Sequence, residues 1–488
     1  MYREKGMSQK GKIIKSLSWK LMERFGVLGG QFVLQILLAR ILDPGHYGAL
    51  SLMIIFTSLA NVFTQHGLNT ALVQNKDVTD DDYSSVFWIN MVFVSLMYIV
   101  FFFAAPLIAQ VYEMPDIVWP FRVLSLMLFP GALNSVQLAR VRRKMEFFKS
   151  FYCNLAAMLV SGITGIVLAY QGAGLWALVA QSVLNVLVSC IVMWFLVDIH
   201  PRFVFNLQRV KVLFSFGWKL MASNLIETLY QDLRSMVIGV KYNADTLGYY
   251  NRGKHFPQFV NNAINSSVQS VMLPAMSAEQ DDKAKVKNMM RNSVTLSAYI
   301  IFPLMAGLAG VATPMVRLLL TDKWLPCVPY LQIYCFSLAF HPVHSCNLQA
   351  INAMGRSDVF LKLELIKKLY GVALLVLAML LIDSPLAIAI SGAVGTLISC
   401  FVNASPNKKL IGYSYLQQMK DILPSFLLSL FMCGCVLAVG MLQLPNIVLL
   451  ILQVITGIAV YVGVSALLRL KPFHMLLKTL KKTLRKAK

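Results

Sequence analysis

Apolar stretches of about twenty residues recur along the whole chain, separated by short polar connections, and this is the length of helix that crosses a bilayer core. The pattern predicts fourteen membrane helices. The first six cover about 22–42, 47–65, 84–109, 117–138, 151–170 and 175–197. Two more lie within 212–275, and the last six cover about 293–312, 326–350, 361–382, 386–402, 422–442 and 447–468. The predicted class is all-α: a polytopic membrane protein with short connections and no room for a soluble domain.

The stretch 212–275 breaks the pattern. It is long enough for two helices but too polar for lipid on all sides. From Gly248 onward Asn251, His255, Gln258, Asn262, Asn265 and Gln269 recur every three or four residues, which places them on one helical stripe. Ser223, Glu227, Gln231 and Arg234 form a second stripe. Unpaired polar groups in hydrocarbon cost several kcal/mol each. The stripes therefore either join packed helices or line a path through the membrane.

An internal repeat organises the chain around this stretch. Trp19-Lys20-Leu21-Met22 recurs as Trp218-Lys219-Leu220-Met221, and Gln35 meets Arg234 at the same offset. One residue further, Gly48 meets Gly248, Ser58 meets Gln258, Asn61 meets Asn261, Gln65 meets Asn265 and Asn69 meets Gln269. An even number of spans separates the copies, so the halves point the same way, as in parallel transporter repeats. The expected lobes are 17–200 and 201–410, spans 1–2 and 7–8 facing a central cavity. Residues 411–468 add two helices, and 1–16 and 469–488 are basic tails, the last partly amphipathic and expected on the inner membrane surface.

Composition agrees with the membrane reading: of 488 residues 57% are hydrophobic and 14% charged, against roughly 25% charged in soluble proteins. The net charge of +22 does not point to nucleic acid. With both termini in the cytoplasm, only Arg40, Lys241, Arg317 and Lys323 fall in outer connections, and the excess is the positive-inside bias. The basic N-terminus runs into a mixed segment without a signal-cleavage pattern. The eight cysteines lack metal or redox spacing. Asp77, Asp80, Asp81 and Asp82 read as a solvated turn, and His341, His344 and Cys346 as packing rather than a metal site. No P-loop or other enzyme motif is present, so no cofactor is expected and the energy source is an ion gradient (H+ or Na+) or the substrate's own gradient.

Charges within spans are costly and mark candidate sites. Span 1 carries Glu23, Arg24, Gln31 and Gln35; span 7 carries Glu227, Asp232 and Arg234; span 8 carries Arg252, Lys254 and His255 beside Gly253 and Pro257. A cationic cavity suits an anionic substrate, and arginine suits phosphate through paired N–H donors. We therefore expect Arg24, Arg234, Arg252 and Lys254 to meet phosphate. Gln31, Gln35, Asn61, Gln65, Asn251, Gln258, Asn262 and Asn265 are expected to meet sugar hydroxyls, and Glu23, Glu227 and Asp232 to couple an ion. The opposing reading has these charges paired in internal salt bridges.

Arg40-Ile41-Leu42-Asp43-Pro44-Gly45-His46-Tyr47-Gly48 and Arg142-Arg143-Lys144-Met145-Glu146-Phe147 resemble the MOP exporter superfamily, in its polysaccharide-transporter branch with the colanic-acid exporter and Wzx-type flippases. The resemblance implies a bacterial inner-membrane flippase without enzyme activity. It would carry undecaprenyl-diphosphate-linked repeat units of lipopolysaccharide, capsule or exopolysaccharide to the periplasmic leaflet, working among membrane lipids beside polymerases and glycosyltransferases. By position, Arg24 and Arg252 would hold the diphosphate. A multidrug antiporter of the same superfamily is the alternative, opposed by the excess of Arg and Lys. A membrane polymerase or ligase is disfavoured because no large outer loop exists.

Overall fold

The computed structural model describes residues 26–75 and 77–478. The first helices are α1 (Leu28–Ile41), α2 (Pro44–Val62), α3 (Leu68–Gln74), α4 (Asp80–Val111), α5 (Val118–Ser125) and α6 (Leu128–Lys144). They are followed by α7 (Phe147–Tyr170), α8 (Leu175–Leu196), α9 (Leu207–Lys241) and α10 (Ala244–Ser277). Next come α11 (Lys283–Gly310), α12 (Ala312–Leu320), α13 (Val328–Ala339), α14 (His341–Ala353) and α15 (Ser357–Leu381). The last are α16 (Pro385–Ala404), α17 (Asn407–Ile411), α18 (Tyr415–Gly440) and α19 (Asn446–Leu467). Every expected apolar stretch holds a helix. Among the described residues, nine helices are long and apolar enough to cross a membrane. The stretches that miss that mark are α1, α9, α10, the pair α13–α14, and α15, and they carry most of the charged and amide side chains singled out above.

The chain forms two compact units, one ending at Gly248 and the other beginning at Tyr249, inside α10. In the first unit α7 and α8 form a close hairpin, with Gly165 under Gln181. Tyr83, Val86, Leu72, Val136, Val141 and Cys153 are among the buried residues that join α3, α4, α6 and α7. One edge of α4 leaves Val92, Leu96, Ile99, Phe103 and Leu107 exposed, as suits a lipid-facing surface. Helix α9 packs along α2, α3 and the turn between them.

Two glycine crossings set this approach. A Cβ on Gly217 would lie 2.8 Å from the Gly67 carbonyl oxygen. A Cβ on Gly48 would run into the Ala244 carbonyl, and one on Gly248 into that of Pro44. Gly48 and Gly248, paired by the repeat, thus touch backbone to backbone. Ile41 and Lys241 end their helices, and Pro44 and Ala244 begin the next, two hundred residues apart. The two connections are therefore equal in length.

The acidic turn is not simply solvated. Asp82 closes a capping box with Thr79 at the start of α4 and is 1% exposed. Arg209 grips it with Nε at 3.0 Å from Oδ1 and a second nitrogen at 2.8 Å from Oδ2. Arg143 donates to the carbonyls of Leu72 and Asn75 at 3.0 and 2.7 Å. Through Asp82 the turn pins the start of α9 to the start of α4.

In the second unit α11 is central, flanked by α13, α14 and α18, and α18 pairs with α19. Tyr461 donates to the Tyr299 carbonyl at 2.8 Å, and the Tyr299 hydroxyl donates to Ser465 at 2.8 Å. The C-terminal residues Phe473 and Leu476 pack against Tyr299, Leu428, Met432 and Tyr461. This part of the tail therefore folds back on the protein's own core. Three fully buried amides tie α14, α17 and α18: Asn347 Nδ2 donates to Gln418 Oε1 at 2.8 Å, Gln418 Nε2 returns to Asn347 Oδ1 at 3.0 Å, and Asn407 Nδ2 donates to that oxygen at 2.7 Å. All eight cysteines are free thiols, six of them buried.

Two stability measurements follow. Asn347→Leu removes the side-chain oxygen that accepts from both Gln418 and Asn407 and leaves the Gln418 oxygen without its donor, at about 1–3 kcal/mol, so thermal unfolding of the purified variant in detergent should begin well below that of the parent. Gly48→Ala should destabilise by about 1–3 kcal/mol through overpacking. Gly29→Ala, where a Cβ meets nothing within 4 Å, should unfold at the parent temperature.

Candidate functional site

The second expected span is one helix interrupted by a π-turn at Phe63–Gly67. A π-turn inserts one residue and often sits at functional sites. Its disturbed backbone is repaired by a side chain: Asn69 Nδ2 donates to the Thr64 carbonyl. Asn61, Gln65 and Asn69 are brought onto one cavity of about 290 Å³ within the first unit. Asn134, Ser135, Arg142, Asn154, Asn185 and Ser189, from α6, α7 and α8, supply the facing polar wall. Asn134 Nδ2 donates to Ser189 Oγ at 3.3 Å and Asn185 Nδ2 to Ser161 Oγ at 3.2 Å. Asn134 Oδ1 remains a buried acceptor without a protein partner. Among the described residues the lining holds one guanidinium, Arg142, and no carboxylate. Convergent amides and hydroxyls of this kind form hydrogen bonds with a polyhydroxylated ligand.

The other expected residues fall in several places. Gln31 and Gln35 are half-buried on α1 and outside this lining. On α9, Glu227 accepts from Gln231 Nε2 at 2.8 Å, and Asp232 accepts from Ser58 Oγ of α2 at 3.5 Å. Arg234 is half-buried on the same helix, its guanidinium 5.9 Å from the Tyr230 ring centre.

In the second unit Arg252 is 6% exposed and lies 5.3 Å from the centre of the buried Trp324 ring. Next to it Gly253 abuts Tyr330 and the Cys327 carbonyl, so this side of α10 packs against protein. Lys254 stands 6.0 Å from the Tyr334 ring centre. Asn251 and Gln258 are half-buried, His255 and Asn262 exposed, and Asn265 buried. Glu23 and Arg24 lie outside the described residues. No group of three His, Cys, Asp or Glu side chains that could hold a metal occurs among the described residues.

The description "Polysaccharide biosynthesis protein" belongs to the family model that matches residues 37–329. The chain belongs to this polysaccharide biosynthesis family. Among relatives of this family member, a succinoglycan biosynthesis transport protein of Rhizobium meliloti is 26% identical, over 86% of this chain and 82% of the relative. A lipopolysaccharide biosynthesis protein of Escherichia coli is 25% identical over 87% of each. Among solved structures, an inward-closed lipid II flippase superposes with a TM-score of 0.71 at 16% identity, over 93% of this chain and 98% of that one. An inward-facing multidrug transporter of the MOP superfamily gives 0.63, again at 16% identity, over 81% and 98%. The family member is a multi-pass membrane protein with the MOP fold, and its matches are transporters rather than enzymes.

Asn134, Asn154, Asn185 and Ser189 were not singled out by the sequence reading. Each is an isolated polar residue in an apolar run, without a stripe to draw notice, and a lone intramembrane amide was the available signal. Replacing Asn134 or Asn185 by Leu removes two hydrogen-bonding atoms from the cavity while keeping its volume. Glycan export by either variant should fall severalfold at unchanged membrane protein level, measured as surface polysaccharide per unit of transporter.

Proposed function

We propose that this chain flips undecaprenyl-diphosphate-linked oligosaccharide repeat units from the cytoplasmic to the periplasmic leaflet of the bacterial inner membrane, by alternating access and with both termini in the cytoplasm. The observation that carries the reading is the amide-lined cavity of the first unit, in a family member whose relatives are named for polysaccharide biosynthesis. In this reading Asn61, Gln65 and the facing amides hold sugar. The diphosphate is met by cations of the first unit, Arg24 and Arg234. Arg142 adds a charge at the sugar cavity itself.

A hydrocarbon tail needs a different surface. An apolar pocket of about 130 Å³ in the second unit, bounded by Phe302, Met305, Phe336, Phe426 and Leu430, offers a polyprenyl chain a place outside the polar cavity. The cation-antiporter alternative is disfavoured at this cavity, because Arg142 in its lining would oppose a cationic ligand.

The test is the location of lipid-linked oligosaccharide after removal of the gene. Intact repeat units should accumulate on the cytoplasmic leaflet, and surface glycan should disappear. Normal surface glycan together with new sensitivity to cationic compounds would overturn the proposal. In complemented cells Arg24→Ala should fail to restore export, whereas Arg24→Lys separates charge from the bidentate fork.

A further inference from the structure

The tenth expected span is broken in the membrane. Helix α13 ends at Ala339, and α14 begins at His341 with Pro342 in its first turn. Proline has no N–H to continue the ladder and forces a new start. Broken helices in transporters are tolerated where they serve an ion or substrate site. Two histidines stand on the first turn of the new helix, and their surroundings differ.

His344 is 7% exposed and committed at both ring nitrogens: Asn403 Nδ2 donates to Nδ1 at 3.3 Å, and Nε2 faces the Cys400 thiol at 3.7 Å. His341 is half-buried. Its Nδ1 accepts from Asn261 Nδ2 of α10 at 3.1 Å. Asn261 is 1% exposed, and its Oδ1 has no partner. Lys367 of α15 acts electrostatically on both histidines and is itself paired with Glu364 one turn earlier. Along the rest of the turn, α16 presents Cys400 to His344, Gln269 of α10 donates to Ser345, α11 presents Ser297 to Cys346, and α17 presents Asn407 to Asn347.

From this arrangement we infer that His341 is the proton-binding site that couples this transporter to a pH gradient, with Asn261 as its reporter and Glu364 as its countercharge. This rests on the flippase reading for what is coupled, and on the second unit alone for where. In the neutral state Nε2 carries the ring proton and Nδ1 accepts from Asn261. A proton arriving from water forms an N–H bond at Nδ1, and no other bond breaks. The Asn261 amide then turns end for end. Its orphaned Oδ1 becomes the acceptor for Nδ1–H, and the imidazolium is satisfied without a new residue. The positive charge also competes with Lys367 for the single carboxylate of Glu364. Asn261 lies one turn beyond Pro257, on the helix that carries Asn251, Lys254, Gln258, Asn262 and Asn265, so the proton is sensed where substrate contacts are expected. Protonation is favoured on the more acidic side of the membrane, which drives inward proton movement against outward substrate movement.

The experiment compares full-length parent, His341→Gln and Glu364→Gln in two assays. In cells at high external potassium, nigericin collapses the pH gradient while surface glycan and leaflet-resolved lipid-linked oligosaccharide are measured. The parent should lose export when nigericin is added. His341→Gln keeps an amide's hydrogen bonding but takes no proton, and its low residual export should not respond to nigericin. In detergent, the pH dependence of the thermal midpoint should be weaker in His341→Gln than in the parent by the contribution of one imidazole, while Glu364→Gln should shift that contribution to lower pH by removing the countercharge. Parent-like export by His341→Gln, or a retained nigericin response, overturns the assignment. If deletion leaves lipid-linked oligosaccharide undisturbed, the flippase reading fails separately. The thermal profiles then decide the proton site, and identical profiles for parent and His341→Gln overturn it.

Discussion

An amide or hydroxyl side chain surrounded by hydrocarbon must find its hydrogen-bond partner inside the protein, and much of this structure follows from that requirement. Asn347, Gln418 and Asn407 share hydrogen bonds with one another, and in doing so fix three helices of the second unit. Asn69 serves the carbonyl disturbed by the π-turn. Gln453 Nε2, fully inside the α18–α19 hairpin, donates to the Val436 carbonyl at 3.0 Å. Satisfaction is incomplete elsewhere, as at Asn134 Oδ1 and Asn261 Oδ1, which have no partner among the described residues.

Backbone approach is the second determinant. The crossing of α2 with the start of α10 depends on two glycines, Gly48 and Gly248, that let backbone meet backbone. The opposite crossing, Gly67 on Gly217, brings α9 against the π-turn beside the amide cavity. The Arg209–Asp82 grip holds the beginning of α9. Cavity shape in the first unit is therefore set at three points on α9 and its successor, each of which a single substitution would disturb.

The helical architecture was legible because each apolar run has its own period and length. The five stretches that are less apolar were legible too, since their polar residues recur at helical spacing. Individual sites were less so. Asn61 and Gln65 emerged because the repeat placed them, and they do line a cavity. Asn134, Asn154 and Asn185 carry no periodic signal and meet only when α6, α7 and α8 are packed. Arg252 has the composition of a phosphate ligand but lies on the side of α10 that presses against Trp324, and a stripe assignment cannot tell an outer face from a packed one. Asp82 read as solvated because its partner Arg209 is more than a hundred residues away. His341 and His344, three residues apart, looked alike in sequence; their difference lies entirely in what α10, α15 and α16 bring to each.

The π-turn in the second span gives that helix a property the others lack. A regular helix is over-determined: rotating one side chain to another face requires breaking bonds along its length. A helix carrying one surplus residue has slack. If the wide turn migrates by one position, the residues it passes rotate by about 100° while the segments on either side keep their ladders and their contacts. Gln65 sits within that surplus turn, between the Gly48 crossing and the Gly67 crossing. The cavity wall it contributes is thus the one part of α2–α3 that can be re-aimed while both anchoring contacts stay closed.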